Sequence, residues 1–195
     1  MREALLQVRH STDDCGLCPL HSTRTNLVFG EGVPHRGVMI IGEGPGEEED
    51  LHGRPFIGRA GKLLDIMLDS AGFTGKANVY ITNIVKCRPP KNRTPLPEER
   101  DACVPYLYEQ IRVIEPKIII LLGATALQSL IDPMLRIGES RGKWLEWRGI
   151  QVLPTYHPAA LLRNPNLKPA VWEDLKRVVD MYRLLVDSKH YCEYY

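Results

Sequence analysis

Four short apolar segments, separated by stretches of helical periodicity, constrain the fold of this chain more than any other feature. They comprise residues 38–41, 79–82, 118–122 and 150–153, are rich in β-branched residues, and mostly end at Gly, Asn or Pro. Buried strands that alternate with helices are typical of a parallel sheet covered on both faces. The sequence therefore predicts the α/β class: a single three-layer αβα domain, residues 1–195, with a central, mainly parallel four-stranded sheet.

Three stretches between and after these segments have the pattern of helices. Residues 60–71 place four apolar side chains on one face, residues 97–114 begin with Pro, Glu and Glu, and residues 172–185 form a final amphipathic helix. Pro105 should kink the second helix or split it in two. Residues 189–195 are expected to form a loose tail.

Composition and charge narrow the class of protein. With 44% hydrophobic and 25% charged residues, the chain resembles an ordinary globular protein. It has no run of about 18 apolar residues that predicts a transmembrane helix, and its charged first ten residues lack the apolar stretch of a signal peptide. We therefore expect a cytoplasmic protein without membrane contact, and we expect it to be a monomer. The net charge of +1 leaves nucleic-acid binding open, so a DNA-binding surface must come from local clusters of basic residues.

Five cysteines in a chain without a secretion signal favour metal binding or catalysis over disulfide bonds. Cys15 and Cys18 form a C-x2-C pair, and Cys87 and Cys103 form a second, wider pair. Four thiolates suit either a [4Fe–4S] cluster or a tetrahedral zinc ion, and the spacing alone does not separate the two. The alternative is a set of small buried hydrophobic residues, which fits poorly with a C-x2-C pair in a loop. Cys192 lies in the expected tail and is left out of the site.

Residues of chemical interest follow the predicted strands, at the edge where parallel sheets bind ligands. The three glycines of residues 42–46 follow the first strand, Asn83 ends the second, and His157 follows the fourth. The glycines let the backbone approach a ligand closely. Their segment matches neither the Walker pattern nor G-x-G-x-x-G, and the four acids at 47–50 would repel phosphates. A phosphate site is therefore not expected.

Three side chains each have a functional and a structural interpretation. Phe56, which lies among glycines and arginines, suits a stacking platform for a base or a core position after a turn. The Asn83 amide has the donor and the acceptor that reading a pyrimidine edge requires, but it also suits a strand-end cap. His157 is either catalytic or structural, and a lone histidine is more often structural.

Taken together, four segments resemble the signature segments of family 4 uracil-DNA glycosylases, the iron–sulfur type of bacteria and archaea. They are residues 42–50, 53–61, 81–90 and 156–165, in the family's order, and the resemblance covers roughly residues 10–185. It implies a DNA repair hydrolase that flips uracil out of single- or double-stranded DNA, hydrolyses its N-glycosidic bond and leaves an abasic site. It also implies a [4Fe–4S] cluster on the four cysteines of the two pairs.

The resemblance assigns roles to individual residues. Phe56 would stack on the flipped uracil, Asn83 would pair with its N3 and O4 edge, and His157 would donate to O2 as the bond breaks. By analogy with the wider superfamily, Leu161 would wedge into the base stack. Apart from the resemblance, Gly42 and Gly44 are candidates for backbone contacts with the substrate, and the basic residues Arg88 and Arg163 flank the expected site and are candidates for contacts with DNA phosphate.

One departure concerns the attacking water. Family 1 enzymes position it with an aspartate in the first motif, and Gly44 stands at the matching position here. Four candidates for this task remain: the Gly44 backbone, Glu43, Glu49 and Asp50. Gly46 replaces the family 1 tyrosine that excludes thymine, and Glu49 is a candidate to close that space.

Three other classes of protein have to be weighed. Some relatives bind the sugar covalently through a histidine on an extra basic loop. Here residues 86–95 contain no His, and Gly44 stands where those relatives have Gln. We therefore expect this chain to release its product and turn over, not to trap the sugar. A non-catalytic iron–sulfur or zinc module that binds nucleic acid would explain the cysteines, but not Asn83 and His157 at strand ends. An electron-transfer protein stays open, because the sequence does not test it.

Overall fold

The computed structural model describes residues 2–35, 37–74 and 78–195. Within them, one sheet has the strand order β1-β3-β2-β4-β6-β5. The strands are β1 (Glu31–Gly32), β2 (Val38–Gly42), β3 (Tyr80–Asn83), β4 (Ile118–Leu122), β5 (Leu145–Trp147) and β6 (Ile150–Thr155). The four central strands are parallel, whereas β1 and β5 pair antiparallel at the two edges.

The predicted α/β class and the mainly parallel sheet are confirmed, but the predicted count of four strands is wrong. The four predicted strands correspond to β2, β3, β4 and β6. The two missed strands, β1 and β5, lie at the edges of the sheet and are two and three residues long. They are not fully buried, so neither leaves a run of apolar residues that would reveal it in the sequence. Arg148 and Gly149 join β5 to β6 with φ of 51° and 79°. Positive φ at both turn residues matches the twist of a two-residue hairpin.

The helices described by the structure are α1 (Arg2–Asp13), α2 (Glu47–His52), α3 (Arg59–Ser70), α4 (Pro97–Ile114), α5 (Ala124–Leu130), α6 (Ile137–Ser140), α7 (Pro158–Arg163) and α8 (Lys168–Leu185). α3, α4 and α8 correspond to the three predicted helices. We expected Pro105 to kink or to split this helix; α4 continues through Pro105, so it is not split in two. Proline removes one backbone hydrogen bond, and the buried Leu107 and Ile111 pack the helix onto the sheet beyond it. Across the described residues, no helix has the length and apolarity needed to span a membrane.

The sheet buries a separate hydrophobic cluster on each face. Along β4, Ile118, Ile120 and Leu122 belong to one cluster, and Ile119 and Leu121 belong to the other. Since successive side chains of a strand point to opposite faces, a strand covered on both sides must be apolar throughout. Helices α3, α7 and α8 contribute to the first cluster, and α4 and α5 contribute to the second. The domain therefore has three layers.

The C-terminal segment packs against the domain. The His190 ring stacks on Phe73 with 4.6 Å between ring centroids, and the buried Cys192 thiol donates to the Ser70 carbonyl oxygen at 3.3 Å. The expectation of a loose tail over residues 189–195 is wrong, because these side chains bury against the end of α3. Cys192 thus has a packing role, apart from the other four cysteines.

Candidate active site

A cavity of about 620 Å³ lies beyond the carboxyl ends of the central strands. Its volume falls in the range of small-molecule sites. Each of its main walls follows a strand: the loop after β2, the end of β3, the β4–α5 turn, and the β6–α7 junction. Seven of the residues predicted for the site line this cavity, namely Glu43, Gly44, Glu49, Phe56, Asn83, His157 and Arg163.

Gly42 lies behind the cavity and allows two of its walls to meet. A Cβ atom on Gly42 would lie 2.5 Å from Asn83 Oδ1 and 2.5 Å from Phe56 Cζ. On Gly44, a Cβ would lie 2.7 Å from Val85 Cγ2. All three distances are shorter than side chains tolerate, so the two glycines are needed for packing at the site, in addition to any backbone contact with a ligand.

Phe56 is held in an unusual backbone conformation at the edge of the cavity. Its φ of 51° is in the left-handed region, which is uncommon for a residue with a bulky side chain. A Cβ on Gly61 would collide with the Phe56 carbonyl group, so this glycine makes the conformation possible. The Phe56 and His157 rings lie 5.7 Å apart between centroids, tilted by 33°. Strain of this kind is characteristic of functional positions.

The Asn83 side chain has an unpaired acceptor. The residue is 1% exposed, and its Oδ1 has no hydrogen-bond partner among the described residues. Leaving a buried acceptor unpaired costs about 1–3 kcal/mol. Its backbone carbonyl, in contrast, accepts a hydrogen bond from Lys86 Nζ at 2.6 Å. The side chain is therefore ready to accept a donor from a ligand in the cavity.

His157 is held as a neutral ring with a defined tautomer. Its Nδ1 accepts the backbone N–H of Ala159 at 3.1 Å as the N-cap of α7. A neutral ring that accepts at Nδ1 carries its proton on Nε2. Burial, helped by the nearby Arg163 cation and opposed by Glu49, lowers the pKa of His157 to about 4. At neutral pH the ring is therefore an uncharged donor.

The three candidate acids have different environments. Glu49 accepts the backbone N–H groups of Gly46, Ile57 and Gly58 at 3.1, 2.9 and 2.8 Å, so it ties the loop after β2 to the Phe56 segment. Asp50 is buried away from the cavity lining and accepts backbone N–H groups from the loop at 25–26. Glu43 lines the cavity.

Thr125 is a residue that the sequence analysis missed. It lines the cavity at the start of α5, and its hydroxyl donates a hydrogen bond to the Glu43 carboxylate. The only signal in the sequence was its position shortly after a predicted strand. Glu43 is therefore the candidate acid that faces the cavity with a side-chain partner.

Leu161, the residue predicted to wedge into the base stack, is buried in the free protein. It is 1% exposed and packs in the hydrophobic cluster under α3 and α8, so this structure does not present it to DNA. The next residue, Leu162, is 46% exposed on the same short helix. The N-cap at His157 sets the rotation of α7, and this rotation turns Leu161 inward and Leu162 outward.

The predicted basic residues at the rim differ in their partners. Arg88 lies 3.4 Å from Glu47 and donates to Asn92 Oδ1 at 2.8 Å. Arg163 is exposed, lines the cavity, and takes part in none of the ion pairs found among the described residues. Of these two cations, Arg163 is thus the more available for phosphate.

Cys15, Cys18, Cys87 and Cys103 line one small cavity next to the end of β3. Arg24 Nη1 donates to Cys87 Sγ at 3.1 Å, and the Lys86 backbone N–H points to Cys103 Sγ at 3.4 Å. Burial raises the pKa of Cys103 to about 11 and lowers that of Lys86 to about 8. Among the described residues, no three His, Cys, Asp or Glu side chains lie in a metal-binding arrangement. Four thiols with adjacent cations nonetheless fit an anionic thiolate cluster.

The α/β fold and the pocket at its strand ends define a class of ligand-binding or catalytic domain, and comparison with known proteins identifies the family. Residues 29–176 match the model of the uracil DNA glycosylase superfamily. The chain is 48% identical over 181 residues to a type-4 uracil-DNA glycosylase of Thermotoga maritima, which covers 90% of this chain and 94% of the relative. A type-4 uracil-DNA glycosylase of Sulfurisphaera tokodaii is 44% identical over 187 residues, which cover 92% of this chain and 85% of that relative. A type-4 uracil-DNA glycosylase of Archaeoglobus fulgidus is 40% identical over 187 residues, which cover 92% of this chain and 94% of that relative. The chain belongs to the type-4 family of the uracil DNA glycosylase superfamily, as the resemblance predicted.

Proposed function

We propose that this chain excises uracil from DNA by hydrolysing its N-glycosidic bond, leaving an abasic site. Its type-4 relatives are named for this activity. The observation that carries the proposal is the buried, unpaired Oδ1 of Asn83 in a cavity that also contains the donor side of a neutral His157. A pyrimidine with an N–H group and a carbonyl fits both.

Recognition would depend on stacking and on one base edge. The base leaves the duplex and stacks against Phe56, which is worth about 1–3 kcal/mol for an aromatic contact of this kind. Asn83 Oδ1 accepts from uracil N3–H, and its NH2 donates to O4. Cytosine presents the opposite pattern at both atoms, so it leaves polar groups unpaired at a cost of about 1–3 kcal/mol each.

Bond cleavage would depend on stabilising the departing uracil. Negative charge builds on uracil O2 as the N-glycosidic bond lengthens, and the Nε2–H of His157 is the donor for that atom. A preorganised donor in a dry site stabilises such charge strongly. Because the ring is neutral, its donation does not require a prior protonation step.

We assign the attacking water to Glu43. Its carboxylate faces the cavity and is oriented by the Thr125 hydroxyl. Glu49 is the weaker candidate, because three backbone N–H groups already use its two oxygens. Glu49 instead braces the wall that holds Phe56, including the space beside Gly46.

Two further roles lie outside the pocket. We assign the DNA wedge to Leu162, the exposed leucine of α7, and a phosphate contact to Arg163 beside it. The four cysteines of the two pairs would hold a [4Fe–4S] cluster. The reaction has no redox step, so the cluster would fix Cys87 and the basic segment that follows it.

The experiment is the release of free uracil from a defined oligonucleotide, in single- and double-stranded form, with thymine and cytosine in matched oligonucleotides. Release from the uracil oligonucleotide alone is expected, and Asn83→Ala should reduce the rate about 10- to 100-fold through the loss of two hydrogen bonds. Binding without uracil release would favour the rival class, a non-catalytic nucleic-acid-binding module. The cytoplasmic, monomeric state that we also propose is tested by fractionation and by light scattering.

A further inference from the structure

Lys86 is a fully buried lysine between the pocket and the cysteine cavity. It is 1% exposed, and its Nζ donates to the Asn83 carbonyl oxygen at 2.6 Å and to Thr82 Oγ1 at 2.7 Å. None of the ion pairs found across the described residues involves it. A buried ammonium without a carboxylate costs several kcal/mol of desolvation, and a methionine would fill the same space without that cost. The position therefore calls for a reason other than packing.

The partners of Lys86 belong to the turn that forms the pocket. Asn83 is the last residue of β3, and the next two backbone N–H groups, of Ile84 and Val85, donate to the carbonyl oxygens of Gly42 and Glu43 at 2.9 and 3.2 Å. Lys86 thus holds the Asn83 carbonyl oxygen, which lies in the chain just before the two N–H groups that make these bonds. The loop with Glu43 and the side chain of Asn83 are fixed by the same few hydrogen bonds.

Thr82, the other partner of the ammonium, is itself anchored in the core. Its hydroxyl donates to the Phe29 carbonyl oxygen at 2.8 Å, and the Gln110 amide donates to the same oxygen at 2.9 Å. All three side chains are buried in the core. The ammonium is therefore attached to a rigid network on one side and to the Asn83 peptide on the other.

We propose that Lys86 is a positioning residue, which fixes the Asn83 peptide and thereby aims the side-chain amide at the uracil edge. The inference rests on the proposed function and adds a residue to it. An amide reads a base only within about 0.5 Å and 10–20° of its productive geometry. The direction of a side chain at the end of a strand follows its own backbone, so a fixed peptide gives a fixed amide.

The test is a double-mutant cycle between Lys86→Met and Asn83→Ala, read by single-turnover rates on uracil DNA. Lys86→Met alone should slow the reaction about tenfold, and on the Asn83→Ala background it should cost less than about twofold, because no amide is left to aim. The inhibition constant for free uracil should rise in Lys86→Met by a similar factor. Equal losses on both backgrounds would overturn the proposal.

Two controls separate positioning from a structural role. Lys86→Met should keep the iron content of the wild type, and its melting temperature should change little, because the desolvation cost of the ammonium is removed together with its two hydrogen bonds. Thr82→Val removes the anchor of the ammonium but leaves its contact with the Asn83 carbonyl, so it should slow the reaction less than Lys86→Met does. Lys86→Gln keeps an N–H donor, so its single-turnover rate should lie between those of the wild type and Lys86→Met. It replaces Lys86→Met in the cycle if the methionine variant does not fold.

The outcomes distinguish this inference from the function on which it rests. Wild-type protein that fails to release uracil removes the proposed function. A Lys86→Met protein that releases uracil at the wild-type rate overturns only the role of Lys86. A variant whose rate falls only in proportion to lost iron or lost folded protein also overturns it, since Lys86 would then serve the cysteine side alone.

Discussion

The uracil pocket and the cysteine cavity are next to each other, but they are built in opposite ways. The pocket is large, and its key acceptor, Asn83 Oδ1, has no partner in the part of the chain that the structure describes. The cysteine cavity is small, and two of its sulfurs already face N–H donors from Arg24 and Lys86. Groups left unpaired suit a ligand that comes and goes, whereas groups already surrounded suit a permanent one. We therefore expect changes in the pocket to affect rate, and changes at the cysteines to affect stability.

The largest effect should come from the cysteine side. Cys87→Ala should remove the iron–sulfur absorbance, abolish activity and lower the melting temperature. A loss of about 4 kcal/mol corresponds to roughly 8–16 °C for a domain of this size. Iron and sulfide analysis, visible spectra and melting curves provide the measurements. Cys192→Ala is the matched control and should keep both iron and activity, although its buried thiol contributes some packing.

Two results would contradict the cysteine assignment. Zinc at one per chain without iron, in protein purified without oxygen, would replace the cluster by a zinc site. A Cys87→Ala protein that keeps its iron would exclude Cys87 as a ligand.

The next effect should come from the pocket and should spare the fold. His157→Ala removes the donor to uracil O2, which gains charge only as the bond breaks, so kcat should fall about 10²–10³-fold, or roughly 3–4 kcal/mol. Affinity for uracil DNA should change far less, because Phe56 and Asn83 remain. Single-turnover rates beside a melting curve provide the test. A variant that melts normally and cleaves at the wild-type rate would end the catalytic assignment.

The sequence predicted the centre of the molecule better than its edges, for physical reasons. The central strands are apolar on both faces, which leaves a strong signal in a run such as residues 118–122, whereas β1 and β5 bury little and leave none. The strand-end position of Asn83 and His157 follows from parallel topology, and this part of the site was predictable. The convergence of three backbone amides on Glu49 was not, because it depends on how two loops meet.

The pH dependence distinguishes a neutral His157 from an ordinary one. With its pKa lowered to about 4, the ring stays about 90% neutral at pH 5, whereas a histidine near 6.5 would be only about 3% neutral. The single-turnover rate should therefore be nearly flat from pH 8 to 5, and a roughly thirtyfold fall by pH 5 with an apparent pKa near 6.5 would contradict this.

The same shift has a consequence for stability. Because the folded pKa of His157 lies below the unfolded one, the unfolded chain binds more protons between pH 6.5 and 4, so folding stability falls as the pH falls through this window. By pH 4, protonation of His157 in the unfolded chain lowers the free energy of unfolding by roughly 3 kcal/mol relative to neutral pH. It should be absent from His157→Ala, so the difference between the two unfolding free energies isolates it.

The smallest effect on rate should separate two adjacent leucines of α7. Leu162→Ala should slow excision about tenfold on double-stranded DNA, because the wedge offsets part of the few kcal/mol needed to unstack the base. The loss should nearly disappear on single-stranded DNA, where no duplex has to be opened, and the melting temperature should not change.

Leu161→Ala is the matched control and should do the reverse. It should lower the free energy of unfolding by about 2.7–5 kcal/mol through a core cavity, while folded molecules keep their rate on both substrates. Measuring both variants on both substrates beside melting curves gives four independent comparisons. If Leu161→Ala rather than Leu162→Ala shows the duplex-specific loss, then α7 rotates on DNA and the buried leucine is the wedge after all.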